Sequence, residues 1–283
     1  MLGGSAVHFS LAASFFDVVH VVGPVGDDFG NEEYAVLRAR GVETDDIEHV
    51  EGGKTFFWRG EYGWDLNERV TLDTQLNVFA DFEPKLSEAS RAADVLFLAN
   101  IQPDLQRRVR EQFADARFVA LDSMNLWIET ARDSLIETIG CVDCLMLNDA
   151  ELRQLTREPN FVRAARQVRE WGPRVVVAKQ GQYGAAMITD EGFFALPSFP
   201  LETTVDPTGA GDCFAGGFMG YIAGQEIDLR GNNVDPNELR RAVIYGSVMG
   251  SFCCERFGVD RFRTLTRQEI DGRFEEFKAF TAF

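Results

Sequence analysis

The residues with the clearest chemical potential lie between positions 206 and 212, where the sequence reads DPTGAGD and continues with the small-residue run CFAGGFMGYIAG. This pattern predicts a glycine-rich turn that leads into a helix beginning near Gly211. Amides at the start of a helix lack intrahelical partners and lie at the positive end of the helix dipole, so they bind anions. Gly209, Ala210 and Gly211 are therefore predicted to form an anion hole. Asp212 then lies where its carboxylate could take a proton from an attacking hydroxyl.

Two other segments resemble phosphate-binding loops but lack the required spacing. Gly53, Lys54 and Thr55 read like the end of a P-loop, but the glycine that opens such a loop would fall at position 48, which is Glu48. Residues 23–26 (GPVG) lack the spacing of a dinucleotide-binding turn. We interpret both segments as turns. For residues 206–212 the alternative is a glycine-rich helix start that Asp212 caps.

The elements that must position these residues alternate between strands and helices. Short apolar runs predict buried strands at residues 18–22, 95–99, 118–121, 144–147 and 175–178. Amphipathic stretches between them predict helices at residues 105–113, 128–139 and 161–171. Alternation of apolar strands with helices is typical of a mainly parallel sheet that is covered on both faces. We therefore predict a three-layer α/β/α fold.

Polar side chains end or follow four of the predicted strands, and ligands bind at the carboxyl ends of strands in such sheets. These residues are Asn100, Asp122, Asn148 and Lys179. For Lys179 the alternative is a solvated strand terminus. We expect at least some of these side chains to face a ligand.

Residues 52–79 interrupt the alternation and read GGKTFFWRGEYGWDLNERVTLDTQLNVF. The segment is rich in aromatic residues and Thr and has no helical period, which predicts a small antiparallel β excursion. We interpret it as a lid, with an ordinary edge hairpin as the alternative. The remaining residues, 1–51 and 80–283, are predicted to form one α/β domain.

The charge balance limits the classes of partner. The chain has 283 residues, with 28 Lys and Arg against 45 Asp and Glu, which gives a formal net charge of −17. Such a surface repels phosphate backbones and anionic lipids, so we expect neither nucleic acid nor membrane as a partner. The five cysteines show no disulfide or zinc spacing beyond a lone CxxC at Cys141 and Cys144, and we expect buried, reduced thiols. A cytoplasmic location is the corresponding expectation.

Several of these segments together resemble the ribokinase-like (PfkB) carbohydrate kinases. The DPTGAGD segment and its small-residue helix look like the C-terminal signature of that family. Residues 3–12 (GGSAVHFSLA), 22–30 (VGPVGDDFG), 148–151 (NDAE) and 179–184 (KQGQYG) resemble its other segments in the same order. The resemblance runs from Gly3 to about Phe277 and implies transfer of a phosphoryl group from ATP to a hydroxyl, often a CH₂OH.

The resemblance implies a role for each matching residue. Asp212 would be the catalytic base beside the anion hole, and Asn148 and Glu151 would orient Mg²⁺; the alternative for this pair is a helix capping box. Nucleotide contacts are implied for Lys179, Gly181, Gly184, Thr208 and Ser247. Some relatives bind a monovalent cation beside this motif, and Asp206 and Thr208 are candidates for a K⁺ site. Acceptor contacts are predicted for Gly3, Gly4, His8, Asn100 and Asp122.

Two departures from the family pattern concern the start of the sequence. Relatives usually have a β-strand that ends near a hydroxyl-binding Asp before the GG pair, whereas this sequence starts at Met1. We expect a late start or a natural variant, and we expect another element, a partner chain or water to fill the gap left in the sheet. His8 stands where relatives commonly have Asn; it either faces the substrate or packs within its helix.

The sequence thus predicts an ATP- and Mg²⁺-dependent kinase that phosphorylates a sugar or a nucleoside held between the lid and the sheet. Phe56, Phe57 and Trp58 of the lid could cover the acceptor. A homodimer formed through the lid is a further candidate assembly. The alternative from another class is a catalytically silent sugar- or nucleotide-binding protein, against which the intact Asp212 argues because a binder needs no base.

Overall fold

The computed structural model describes residues 1–67, 69–113, 115–225 and 235–282. Numbered in chain order, the strands are β1 (Gly23–Val25), β2 (Ile47–His49), β3 (Phe57–Tyr62), β4 (Arg69–Gln75), β5 (Val95–Leu98), β6 (Phe118–Asp122), β7 (Cys144–Asn148), β8 (Val175–Lys179), β9 (Ala185–Thr189) and β10 (Gly192–Leu196). The α-helices are α1 (Ser5–Ala13), α2 (Asn31–Arg38), α3 (Glu88–Arg91), α4 (Pro103–Glu111), α5 (Asn125–Thr130), α6 (Arg132–Ile139), α7 (Asp149–Thr156), α8 (Phe161–Glu170), α9 (Ala210–Ala223), α10 (Pro236–Cys253) and α11 (Arg267–Thr281). Short 3-10 turns cover Asn77–Phe79 and Gly181–Tyr183.

A six-stranded sheet forms the centre of the molecule, in the order β10-β9-β8-β7-β6-β5. Strands β5 to β8 are parallel to one another, whereas β9 and β10 add antiparallel to the far edge. Strands of a parallel sheet are covered on both faces, which explains why their sequences are continuous apolar runs. The predicted α/β fold with a mainly parallel sheet is confirmed.

Alternate side chains of the central strands enter two separate cores. Phe118, Met146 and Val177 pack with residues of α1, α9, α10 and α11 on one face. Leu121 and Leu147 pack with residues of α6, α7 and α8 on the other face. The period of two along each strand therefore divides the apolar residues between two helical layers. The carboxyl ends of the strands remain uncovered by either layer and line a cavity of ≈ 1790 Å³.

Most predicted elements lie within a few residues of their observed positions, with two exceptions. Residues 18–22 form no strand: His20 makes an isolated bridge to Glu43, and the strand follows at β1. The helix predicted over residues 128–139 is divided at Ala131, whose φ of −140° and ψ of 34° are not helical. A strand needs a continuous neighbour, and among the described residues the pairing at 18–22 is limited to the His20 bridge, whereas β1 pairs with β2 along its length.

The lid segment contains an antiparallel hairpin made of β3 and β4, which stands apart from the central sheet. Its attachment to the domain is held by Asp28, whose Oδ1 accepts hydrogen bonds from the Thr55 amide and the Thr55 hydroxyl, each at 2.7 Å. The same Thr55 hydroxyl oxygen accepts from the Gly26 amide at 3.0 Å. These bonds lower the pKa of Asp28, so its carboxylate stays ionised at this hinge.

The central sheet ends at β5, which pairs only with β6 among the described residues. Strands β1 and β2 form a separate parallel pair. Residues of both edges, such as Val21 and Phe97, line the same cavity, and Phe9 of α1 stacks on Phe97 with ring centroids 4.3 Å apart. An apolar cleft therefore lies beside β5.

The cysteines are free thiols, as predicted, but the CxxC pair is not buried throughout: Cys144 is buried whereas Cys141 is exposed. Among the described helices, none combines the length and apolar character needed to cross a bilayer.

Candidate active site

The start of α9 forms one wall of the site. Gly209 is the N-cap residue and adopts a left-handed conformation with φ of 81°, which favours glycine. The Ala210 amide donates to the Pro207 carbonyl at 3.1 Å, so it is used within the turn rather than facing a ligand. The Gly211 and Asp212 amides lack partners within the helix because of helix geometry. Of the three residues predicted to form the anion hole, Ala210 thus uses its amide within the turn, and the anion hole itself stays a prediction.

His8 packs directly against this turn from α1. A side chain at Gly209 would overlap the His8 ring, so glycine is required there for packing as well as for its backbone conformation. His8 is 2% exposed, and its Nδ1 lies 3.1 Å from the Gly4 carbonyl oxygen. Its Nε2 is buried and has no hydrogen-bond partner among the described residues.

Lys179 approaches the same turn from the end of β8. Its Nζ lies 2.7 Å from Asp122 Oδ2, and the two side chains are 15% and 6% exposed. A Cβ atom on Gly211 would lie 3.3 Å from Nζ, which places the ammonium group against the start of α9. Lys179 is therefore a buried cation in the site, and the alternative of a solvated strand terminus is wrong.

The charge states of this pair follow from their surroundings. Burial opposes protonation of Lys179, but Asp122, Glu151 and Asp212 together raise its pKa. Burial raises the pKa of Asp122, and the attraction of Lys179 opposes that rise. At a separation of 2.7 Å the two groups stabilise each other as an ion pair. Asp122 is thus occupied by Lys179 and by the Ser123 amide at 2.8 Å, instead of facing an acceptor hydroxyl freely.

Asn148 and Glu151 form a complete capping box at the start of α7. Asn148 Oδ1 accepts from the Glu151 amide at 2.7 Å, and Glu151 Oε2 accepts from the Asn148 amide at 3.0 Å. Burial, together with repulsion from Asp122, raises the pKa of Glu151 to about 7. The remaining oxygen, Oε1, lies 4.0 Å from Arg69 Nη2.

This arrangement fits Mg²⁺ through one side-chain oxygen. Glu151 Oε1 takes no part in the capping box, whereas Asn148 Oδ1 is occupied. A magnesium ion that is carried by phosphate oxygens and water needs only one or two protein carboxylates. Within the described part of the chain, no group of three or more His, Cys, Asp or Glu could hold a metal. Glu151 therefore fits a nucleotide-bound Mg²⁺ and not a stand-alone metal centre.

The segment after β8 forms a tight loop that the hairpin covers. Gly181 and Gly184 have φ of 56° and 104°, and a side chain at Gly184 would overlap the backbone of Leu196 and Pro197. The Gln182 amide donates to Asn67 Oδ1 at 3.0 Å. Gly181 and Gly184 line the cavity, as does Ser247 of α10.

Asp206 and Thr208 are held in the turn before α9. Asp206 is 7% exposed, and its two oxygens accept from the Thr208 amide at 2.9 Å and the Gly258 amide at 3.2 Å. The Thr208 hydroxyl donates to Tyr62 Oη of the hairpin at 3.4 Å. Both oxygens of Asp206 thus already support the turn, which is a structural role that the sequence did not predict.

The predicted acceptor-binding residues line the same cavity, but they differ in how many of their hydrogen-bonding groups already have a protein partner. Gly3, Gly4 and His8 surround the start of α1. Asn100 Oδ1 accepts from Trp127 Nε1 at 3.1 Å, which leaves its amide nitrogen for a ligand. Both oxygens of Asp122 already accept hydrogen bonds, from Lys179 and from the Ser123 amide.

Sequence reasoning missed three residues near the end of the hairpin. Tyr62, Asn67 and Arg69 contact Thr208, Gln182 and Glu151, respectively, which belong to three different segments of the site. The alternation of exposed and less exposed residues along β3 could have identified Tyr62 as facing inward. Asn67 and Arg69 flank the hairpin turn, and periodicity carries no signal there.

The sequence matches the model of the pfkB family carbohydrate kinases over residues 2–264. The chain is 29% identical to a cytidine kinase of Thermococcus kodakarensis, over 81% of this chain and 83% of that protein. It is 26% identical to a nucleoside kinase of Methanothermobacter thermautotrophicus, over 99% and 84%. It is also 26% identical to an ATP-dependent ribose-1-phosphate kinase of Halopiger xanaduensis, over 90% and 81%.

Solved structures share the fold at lower identity. The Burkholderia thailandensis nucleoside kinase in complex with inosine has a TM-score of 0.80 at 19% identity, covering 99% of this chain and 86% of that one. A putative Ribokinase II from E. coli, in complex with ATP and Mg²⁺, has a TM-score of 0.78 at 19% identity, covering 97% and 89%.

Proposed function

Because this chain belongs to the pfkB family of carbohydrate kinases, and is therefore a kinase, we propose that it transfers the γ-phosphoryl group of ATP to a hydroxyl of a nucleoside, with Asp212 as the base. The observation that carries the proposal is the convergence of Asp212, the Gly211 amide and the Lys179 ammonium group at the start of α9. A base, an anion site and a buried cation at one place are what in-line phosphoryl transfer requires.

The residues act on the two ends of the transferred group. Asp212 takes the proton of the acceptor hydroxyl while that oxygen forms a bond to the γ-phosphorus, and the bond from the γ-phosphorus to the bridging oxygen breaks to release ADP. The Gly211 and Asp212 amides stabilise negative charge on the phosphoryl oxygens. Glu151 would hold Mg²⁺, which would supply further positive charge to the phosphates. Asn148 positions Glu151 through the capping box.

Two features favour a nucleoside over a free sugar as the acceptor. The relatives include a cytidine kinase at 29% identity and a nucleoside kinase that is matched over 99% of this chain. Trp58, which alternation along β3 places on the same face as Tyr62, and Phe56, which precedes β3, line the cavity and could offer aromatic faces to a planar base. The sugar CH₂OH would then point toward Asp212. Asn100 has a free amide nitrogen with which to bind a ring hydroxyl.

Two further parts of the proposal concern an ion and an assembly. A K⁺ ion at Asp206 and Thr208 would have to bind through backbone carbonyls, since both oxygens of Asp206 already accept from amides. A homodimer through the hairpin is supported by its exposed apolar side chains, which include Val70 and Leu72.

The test is ADP production over a panel of acceptors that includes cytidine, inosine, ribose, fructose and ribose 1-phosphate. We expect acceptor-dependent ADP release that is highest with a nucleoside, and a phosphomonoester product by phosphorus NMR. Turnover only with a free sugar would overturn the nucleoside assignment. Nucleotide binding without turnover for any acceptor would favour the silent binding protein.

A further inference from the structure

Two buried polar side chains lie at the carboxyl ends of β5 and β6, and both line the cavity. Gln106 of α4 is 1% exposed, and Ser123, which directly follows β6, is 5% exposed. Gln106 Oε1 and Ser123 Oγ are buried and have no hydrogen-bond partner among the described residues. A buried polar atom without a partner is unfavourable, so a ligand that supplies the missing bonds is favoured here.

The orientation of the Gln106 amide is fixed by its surroundings. Its Nε2 donates to the Leu98 and Ala99 carbonyl oxygens at the end of β5, at 3.2 and 2.8 Å. It also donates to the Asp122 carbonyl oxygen of β6 at 2.9 Å. If the amide were turned round, Oε1 would face these three oxygens, and no hydrogen bond could form. Oε1 therefore serves as an acceptor, and its missing partner must be an O–H or N–H group.

Gln106 lies between two side chains that are free to bind a ligand. Ala99 and Asp122, whose carbonyl groups bind Gln106, directly precede Asn100 and Ser123. Asn100 keeps a free amide nitrogen, which is a donor, whereas Gln106 Oε1 is an acceptor. The Ser123 hydroxyl can both donate and accept. Two neighbouring hydroxyl groups of a sugar ring, each of which donates and accepts, match this set of atoms.

We propose that Gln106 and Ser123 are specificity-determining residues that bind vicinal ring hydroxyls of the acceptor, which are the 2′- and 3′-hydroxyls in a nucleoside. The proposal rests on the function proposed above, in which the CH₂OH group points toward Asp212. Gln106 Oε1 accepts from one ring hydroxyl, and Ser123 Oγ forms a hydrogen bond with the neighbouring one. A site that binds a hydroxyl in this way rejects the analogue that lacks it, because the buried polar atom of the protein is then left unpaired. The enzyme thus selects ribonucleosides over deoxyribonucleosides.

The experiment measures kcat/KM from ADP release for the wild type, Ser123→Ala and Gln106→Met. The acceptors are the nucleoside with the highest turnover and its 2′-deoxy and 3′-deoxy analogues, each of which lacks one hydroxyl. An N–H group of the base could also donate to Gln106 Oε1. A pair of nucleosides that exchange an amino for a keto group on the base, such as cytidine and uridine or adenosine and inosine, distinguishes that source.

We expect the wild type to use at least one deoxy analogue about tenfold or more less efficiently than the parent nucleoside. Ser123→Ala should lower kcat/KM about tenfold for the parent, but less than about threefold for the analogue that lacks the hydroxyl bound by Ser123. Gln106→Met should show the same pattern with the other analogue. Because Gln106→Met also removes bonds to three carbonyl groups, Ser123→Ala is the decisive variant.

Equal losses for the parent and both deoxy analogues would assign the two side chains to support of the strand ends and overturn the proposal. Equal use of the parent and both analogues by the wild type would overturn it as well. If the variants change the amino-to-keto preference and leave the deoxy discrimination intact, the base occupies this subsite and the hydroxyl assignment is wrong. A wild type that phosphorylates ribose but no nucleoside would overturn the nucleoside assignment alone, and ribose against 2-deoxyribose then tests the subsite.

Discussion

At the scale of single residues, one hydrogen bond determines which ring nitrogen of His8 carries a proton. The Gly4 carbonyl oxygen can only accept, so His8 Nδ1, 3.1 Å away, must carry the proton. Nε2, the other ring nitrogen, accepts when it carries no proton, and this atom is buried without a partner among the described residues. A buried unpaired acceptor is unfavourable by about 1–3 kcal/mol, so a ligand that donates a hydrogen bond would be favoured here.

We therefore expect His8→Phe to raise the KM for the nucleoside acceptor by about tenfold while the KM for ATP changes little, because the lost bond is made to an acceptor hydroxyl. His8→Asn is the matched variant, since an amide oxygen can replace the acceptor function. Steady-state kinetics with each substrate varied in turn measures the effect. Equal KM values for His8→Phe and wild type would assign His8 to helix packing alone.

Asp212 is the second residue whose role can be isolated. Asp212→Asn keeps the shape of the side chain but removes its capacity to take a proton. We expect turnover to fall by about 10²–10⁴, with ADP affinity retained within a few-fold. Rates come from ADP release and affinity from calorimetry. A variant that keeps more than about a tenth of wild-type turnover would show that another group is the base.

The sequence predicted individual residues well where a local motif determined their position. Asp212, Gly209 and Glu151 lie at helix starts, and short-range turn and capping patterns are sufficient to predict that. The ion pair between Lys179 and Asp122 joins residues 57 positions apart, and no local pattern reveals it. The sequence therefore predicted that both residues face the site but not that they bind each other.

At the scale of elements, one carboxylate of α7, that of Glu151, has a structural role in the capping box and the proposed role of holding Mg²⁺. The capping box stabilises the helix start, while burial and the repulsion of Asp122 raise the pKa of Glu151 to about 7. The folded protein thus retains a proton that the unfolded chain releases near the usual value of 4.5. The stability contributed by this raised pKa is fully present below pH 4.5 and is lost as the pH rises through about 7.

Glu151→Gln should remove this pH dependence while preserving the capping box, because Gln also serves at the third helix position. We expect the unfolding free energy of the wild type to fall, relative to the variant, by up to about 3 kcal/mol between about pH 5 and pH 8. Urea unfolding without Mg²⁺ or nucleotide measures it. Parallel pH profiles for the two proteins would contradict the raised pKa.

The positions of strands and helices could be predicted from the periodicity of apolar residues. Which apolar runs find a pairing strand could not. The strands β6 to β8 are fully buried apolar runs, so composition alone locates them within one or two residues. Residues 18–22 are equally apolar, yet they form only the His20 bridge, because a strand also requires a partner of matching length. The break at Ala131 is a change of backbone dihedral angles, which helical periodicity does not encode.

At the scale of the whole molecule, the hairpin of β3 and β4 stands apart from the six-stranded sheet and pairs with neither of its edges. A two-stranded hairpin is at best marginally stable by itself, and here its inner face covers the cavity through contacts such as Tyr62 to Thr208. On β4 of the hairpin, Val70 is 63% exposed and Leu72 is 51% exposed. Apolar side chains on an unpaired hairpin favour association, and a second copy would present the same side chains in return.

We expect sedimentation velocity at micromolar concentration to show a dimer, and the double change Val70→Lys and Leu72→Lys to shift it to a monomer, because like charges would meet across the interface. Phe193→Lys is the matched control: Phe193 is 54% exposed on β10, outside the hairpin, and its replacement should leave the dimer intact. The Gln182 amide, in the loop after β8 for which nucleotide contacts are proposed, donates to Asn67 between β3 and β4, so loss of the dimer should raise the KM for ATP several-fold. A wild-type protein that sediments as a monomer would contradict the dimer. A dimer that persists in the double lysine variant would place the interface outside this face of the hairpin.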